Sequence, residues 1–512
     1  MTQEKKPFSL TRSIAWPVYR SELKKVLSML LLLSLLCISY SIMRNVKDTI
    51  ILTSNSAGAE VLPFIKVWGI LPGAIAATWL FAKLRSKFSR ERVFYIIVSS
   101  FLTYFLLFAL VIFPNSDKLN LHETCTYLQE TLPSGFKGLI MMICNWTYST
   151  FYVISELWSV LILGVLFWGF ANDITPLSQA KRCYGLFNIG SNFAPILGGF
   201  VAIFFGAKIS PDISSAEAWQ NTLIKLTLLV GAFGVLSMVI FYWIHRKVLP
   251  YEPHAVEDGH DAIVKSSKKK RLSLRECIKY VSQSRYLVCL SLIVLGYNIA
   301  INFTDVLWKE QLKKHFSNPN AMLEHMNQVT IGIGCVATLC GTLFAYFVRR
   351  FGWTFVAILT PAVMIVMAVA FFSFIFFDKM LSPLTLALFG TTPLVMAVYC
   401  GSVQNCLSKA GKYSVFDASK ELAFLALDPE SRMRGKAAID GLGSGVGKSG
   451  SSLIYQAMIL SMGSISFCTP YIAILLFVVF SAWIYSVFNV AKEFNLKSEQ
   501  INANEIAAAE AR

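Results

Sequence analysis

Charged residues stand inside the apolar stretches of this chain, where a lipid-facing charge is costly. Lys66 lies within VLPFIKVWGILPGAIAATWLF, Glu156 is the only charged residue between Lys137 and Asp173, and Lys448 interrupts GLGSGVGKSGSSLIYQAMIL. Arg44, Lys47 and Asp48 end the apolar run that starts near Val26. A charge at the centre of a bilayer costs about 2.5–3.5 kcal/mol on insertion scales, so such residues face a water-filled cavity or a partner. Most of these are cations, and cations spread over several spans suit a path for an anion.

Taken singly, each charge has two readings. Tyr40, Arg44, Lys47, Asp48 and Ile51 recur at spacings of three and four, which puts them on one helix face. That face is either a local Arg44–Asp48 pair packed against neighbouring helices or a cationic stripe lining a cavity. Lys66 either snorkels to the outer interface or points inward. Glu156 is too central to snorkel, so it is protonated, paired with a distant cation, or hydrated. Asp305 has Lys309 one turn along as a local partner, or it serves the cavity. GLGSGVGKS resembles a P-loop but fails the pattern, because Leu442 stands where GxxxxGK[ST] needs glycine and no strand precedes it. Its small residues suit close helix packing, with Lys448 projecting into the cavity.

The elements that position these residues follow from composition. The 512 residues are 55% hydrophobic and 15% charged, where soluble domains carry about 25% charged residues. With a mean hydropathy of +0.57, the chain is expected to be an all-α polytopic membrane protein. Apolar spans fall at 26–53, 61–83, 92–113, 139–171, 187–207 and 221–244, then at 285–308, 327–348, 353–377, 383–408, 437–461 and 467–492. With twelve transmembrane helices, the segments Lys83 to Arg92, Lys181-Arg182, Arg349-Arg350 and Arg432 to Lys436 share one side with both termini. Loops 114–136 and 208–220 on the other side are mixed or acidic, which makes the basic side, and both termini, cytoplasmic. The net charge of +16 therefore gathers on one membrane face and does not indicate nucleic acid.

A basic linker divides the chain near its midpoint, and the halves resemble each other. LSLLCISYSIMRNVKD (33–48) aligns without gaps onto LSLIVLGYNIAINFTD (290–305), and LFAKLRSKF (80–88) resembles LFAYFVRRF (343–351). Two parallel six-helix repeats are the layout of major-facilitator-type carriers. The expected organisation is a cytoplasmic segment 1–25, a first half 26–244, a linker 245–284, a second half 285–492 and a cytoplasmic tail 493–512. The eleven cysteines are scattered without a CxxC pair or a Cys/His cluster, so no metal is expected. With no paired catalytic carboxylates and no serine elbow, neither a catalytic residue nor a cofactor is expected, and the chain does not read as an enzyme.

Four blocks carry a family resemblance. GAEVLPFIKVWGILP, SELWSVLILGVLFWGFANDIT, FTDVLWKEQLKKHF and KELAFLALDPESRMRGKAAIDGLGSGVGKSG resemble the nucleotide transporters, the ATP/ADP translocases of plastids and obligate intracellular bacteria. The resemblance implies exchange of external ATP for internal ADP, with phosphate accompanying ADP, and it places the family's critical charges on Lys66, Glu156, Asp305 and Lys448. At Asp305 many members are expected to carry Glu, so the shorter carboxylate is a departure. The polar, basic start without a transit sequence favours the bacterial branch, hence a bacterial inner membrane, and one chain is expected to function as a monomer. Tyr152, Phe187, Tyr297 and Asn298 are candidates for contacts to the base, and equally for ordinary packing. The alternatives are a proton-coupled importer of nucleoside triphosphates and a carrier of another phosphorylated organic anion.

Overall fold

The computed structural model describes residues 18–54, 58–206, 214–249, 279–427 and 429–510, so most of the linker 245–284 lies outside the described residues. The described chain is helical throughout. The elements are α1 (Leu23–Thr53), α2 (Val61–Lys87), α3 (Arg90–Ile112), α4 (His122–Thr131), α5 (Lys137–Cys144), α6 (Trp146–Ile174), α7 (Leu177–Phe205), α8 (Ser215–Val248), α9 (Arg285–His315), α10 (Pro319–Phe376), α11 (Asp378–Phe389), α12 (Pro393–Leu425), α13 (Pro429–Met462) and α14 (Ile465–Leu496). Nine helices among the described residues are long and apolar enough to cross a membrane, or ten if the bent pair α11 and α12 counts as one span. Only helices satisfy every backbone group inside lipid without a closed sheet.

Local sequence sets the ends. The Ser284 and Ser89 hydroxyls accept backbone N–H bonds at the starts of α9 and α3, and Ser214 with Glu217 forms a capping box ahead of α8. Asn318 caps α10 just before Pro319, whose missing N–H costs nothing in a first turn. Within α10, Gly352 has φ 80° and ψ 167°, a conformation that suits glycine alone, and the helix breaks there between the regions read as 327–348 and 353–377. Gly390 ends α11 with φ 64°, and α12 then leaves at 80°. The stretch read as 139–171 is likewise interrupted, because Asn145 leaves the helical region (φ -93°, ψ 49°). The spanning helix α6 therefore begins at Trp146, and residues up to Cys144 belong to α5.

Two compact units emerge. The first comprises Met1–Val46, Gly73–Pro114 and Ile154–Lys270, and the second comprises Lys47–Pro72, Asn115–Val153 and Arg271–Arg512. The division passes through α1, α2 and α6. In the first unit the buried Trp158 indole donates to the Leu36 carbonyl at 3.1 Å, which ties α6 to α1. In the second unit α9 is the central helix, buried on most faces, with Tyr297 between Phe416 and Trp483. Glycines let α13 lie close to α9, since a Cβ on Gly447 would stand 2.8 Å from Asn298 and one on Gly435 would stand 2.8 Å from Leu287. Both contacts advance in the same direction along the two helices, so α9 and α13 run parallel. Two helices carry wider π turns beside a candidate charge, Ile65–Ile70 around Lys66 and Ser159–Phe167 after Glu156.

Candidate functional site

The end of α1 and the C-terminal third of α9 build a buried ionic cluster in the second unit. Lys309 lies one turn beyond Asp305 on α9 and reaches its carboxylate at 3.0 Å. The same ammonium meets Asp48 of α1 at 2.9 Å. Asp48 and Asp305 align with each other in the sequence comparison of residues 33–48 with 290–305, and here they share one lysine. Each has a second cation. Lys47 stands 3.2 Å from Asp48, and Lys409 of α12 stands 3.1 Å from Asp305. Asn405, one turn before Lys409, also donates to Asp305 at 3.1 Å. Lys47, Asp48, Asp305 and Lys309 are each at most 8% exposed, so these pairs are shielded from water.

Lys66 enters from α2. Its ammonium donates to the Asn302 side-chain carbonyl, and Asn302 in turn donates to Ser451 at 2.7 Å and Ser452 at 3.0 Å on α13. Asn302 stands three residues before Asp305, so Lys66 and the ion pairs approach neighbouring positions of α9. Among the described side chains, Lys47, Lys66, Lys309 and Lys409 set four ammonium groups against the carboxylates of Asp48 and Asp305. Lysines gathered from four helices in a low-dielectric setting suit a multiply charged anion, whose oxygens take charge-assisted hydrogen bonds from them.

The other sequence candidates fall elsewhere. Arg44, Tyr40 and Glu156 belong to the first unit, where the Tyr40 hydroxyl lies 3.5 Å from a Glu156 carboxylate oxygen and Glu156 is half-buried. Lys448 occupies the turn of α13 between Gly447 and Ser451, but its side chain lies outside the described residues. Lys47 sits over the Tyr152 ring at 3.6 Å, a cation–π contact that occupies this face of the ring. Tyr297 is packed among aromatic rings, and the Asn298 amide donates to the Val294 carbonyl at 2.8 Å. Phe187 packs edge-on against Phe167 and Trp168.

Sequence reasoning took Lys309 only as a local partner and passed over Lys409, Asn302 and Asn405. The i,i+4 spacing of Asp305, Lys309 and Lys313 was the available signal for the first. Lys409 fell just past the end assigned to its span, and the asparagines carry no charge to single them out.

Comparison with known proteins places this arrangement. The solved structures it resembles include the inward-open xylose transporter of E. coli (TM-score 0.50, 14% identity, 93% of this chain and 95% of that one). A D-xylose–proton symporter matches at TM-score 0.51 with 15% identity over 92% of this chain and 96% of that one. At such identities the likeness concerns the helical fold alone. ADP,ATP carrier protein 1 of Chlamydia muridarum is 40% identical over all of this chain and 97% of its own length. ADP,ATP carrier protein 2 of Chlamydia pneumoniae is 38% identical over 96% of this chain and 93% of its own. The chloroplastic ADP,ATP carrier protein 1 of Arabidopsis thaliana is 35% identical over 93% of this chain and 75% of its own. The family described as TLC ATP/ADP transporter matches residues 1–494, and the chain belongs to that family.

Proposed function

We propose that this protein is an ATP/ADP antiporter, taking up ATP in exchange for ADP by alternating access. The observation that carries the reading is the buried cluster around Lys309, where lysines from four helices meet Asp48 and Asp305. Phosphate oxygens displace the aspartates from their lysines, and the aspartates reclaim them as the nucleotide leaves. Lys66 and Lys448 contact the phosphates, Asp305 and Asp48 hold the cations when no anion is present, and Glu156 governs the return step. Phosphate accompanies ADP, since ATP carries more negative charge and an even swap would move net charge. An empty return would carry this cluster of buried charges through a low-dielectric barrier at a cost of several kcal/mol, so the empty return is slow.

The same reading completes the topology. Counting α10 as two spans about Gly352, α11 with α12 as one, and adding the 34-residue α13 gives twelve spans in two six-helix halves, 26–244 and 285–492. The basic segments then lie on the cytoplasmic side of a bacterial inner membrane together with both termini. The experiment is uptake of labelled ATP into vesicles that are empty or preloaded with ADP, with and without phosphate. Uptake at least tenfold greater in ADP-loaded vesicles is expected. Equal uptake in empty vesicles, accelerated by an inward proton gradient, replaces this reading with proton-coupled import.

A further inference from the structure

A polar cavity of about 590 Å³ opens in the same unit as the buried cluster. It is lined from three connections: Gly58 to Val61 between α1 and α2, residues of α4 and α5 together with Asn145, and Glu310, Lys313 and Lys314 at the end of α9. The charge pattern of the loops puts all three connections on the face opposite the basic, cytoplasmic one. The volume is that of a small-molecule site. Lys137, Lys313 and Lys314 line it together with Glu60 and Glu310, and His122, Thr126 and Gln129 complete the wall. Two ion pairs in this wall are long, Lys137 to Glu60 at 3.6 Å and Lys314 to Glu310 at 3.5 Å, and both lysines are substantially exposed. Pairs of that kind are weak and exchange readily for a better anion.

The cavity is aligned with the buried cluster. Asp305, Lys309 and Lys313 succeed one another at four-residue steps along α9, which is about 6 Å per step on one face. Lys309 is the shared cation of the buried cluster, and Lys313 lines the outer cavity. The absence of a side chain at Gly58 matters here, because a Cβ would stand 2.5 Å from the Lys313 ammonium nitrogen. The ammonium therefore packs closely against the Gly58 backbone at the cavity wall.

We propose that this cavity is an outer vestibule that captures nucleoside polyphosphates through Lys137 and Lys313 and delivers their phosphates along α9 to Lys309. The proposal rests on the transport reading above. It adds a first binding site, recognising the phosphate chain and indifferent to the base.

The test uses intact bacterial cells expressing the full chain, with labelled ATP outside. Lys137→Gln/Lys313→Gln should raise KM for external ATP about tenfold, with the larger effect at low salt, where screening is weakest. A second measurement does not depend on transport. Thr126→Cys places a thiol on the cavity wall, and external ATP, GTP or inorganic tripolyphosphate should each slow its reaction with a membrane-impermeant maleimide at least threefold. That protection should vanish when Lys137→Gln/Lys313→Gln is added. A KM within twofold of the parent, or protection that survives loss of both lysines, overturns the vestibule. Protection by ATP with none by tripolyphosphate overturns recognition through phosphate. If the parent chain exchanges no nucleotide at all, the transport reading fails, while protection by tripolyphosphate still decides whether the anion site exists.

Discussion

Replacing Lys309 by methionine is the sharpest perturbation of the buried cluster. Methionine keeps most of the side-chain length and volume but removes the ammonium that Asp48 and Asp305 share at 2.9 and 3.0 Å. Removing one partner of a buried ion pair costs about 3–5 kcal/mol, because it leaves an uncompensated charge in a low-dielectric setting. Here Asp48 keeps Lys47 and Asp305 keeps Lys409, so the lower end applies to the pair together, about 3 kcal/mol. At 1.36 kcal/mol per decade this is roughly a 150-fold shift in the unfolding equilibrium. The origin of the loss is separable from mere packing. Adding Asp48→Asn to Lys309→Met removes one carboxylate left with a single cation and should recover about half of the loss, whereas Asp48→Asn alone should itself destabilise. The assay is denaturant unfolding of the purified protein in detergent, followed by tryptophan fluorescence, with the four proteins forming a double-mutant cycle. A Lys309→Met protein within 0.5 kcal/mol of wild type, or additive effects of the two substitutions, would refute the view that Lys309 is a shared counter-ion.

Two further substitutions address transport. Lys66→Gln and Lys448→Gln should each lower ATP/ADP exchange at least tenfold in proteoliposomes while the protein still inserts, since a charge-assisted contact contributes about 1.5–3 kcal/mol; near-normal uptake by both would exclude them as phosphate ligands. Glu156→Gln should bind nucleotide at least as tightly as wild type in equilibrium dialysis but exchange it slowly, and weaker binding with an unchanged maximal rate would reverse the role assigned to Glu156.

The candidate site was legible in the sequence wherever a charge stood inside an apolar run. Such residues announce themselves through the cost of burial, which is why Lys66, Asp48 and Asp305 were found before any contact was known. Their partners were harder to see. Lys309 sits at the polar end of α9, where a lysine is unremarkable, and only the approach of the end of α1 brings Asp48 within reach. Asn302 and Asn405 act through hydrogen bonds that carry no signature in hydropathy. The helices themselves were legible in outline, with errors where a single residue breaks a helix. Asn145 moves the start of α6, and Gly390 with Thr392 divides a stretch that reads as one apolar segment. Gly352, by contrast, falls in a basic connection and marks the break that the charge pattern anticipates.

The π turn around Lys66 gives α2 a mechanical property that a regular helix lacks. One extra residue is accommodated over Ile65–Ile70 without breaking the helix. Such an insertion is mobile in principle, because passing it along by one position exchanges one set of carbonyl partners for the next. Each residue of an α-helix turns the chain by about 100°, so displacing the insertion past Lys66 swings that ammonium through more than a quarter of a revolution. The rest of α2 keeps its hydrogen bonds throughout. Under the proposed transport reading, the Lys66 ammonium is thereby mounted on a swivel, and the helix on either side need not tilt for it to turn.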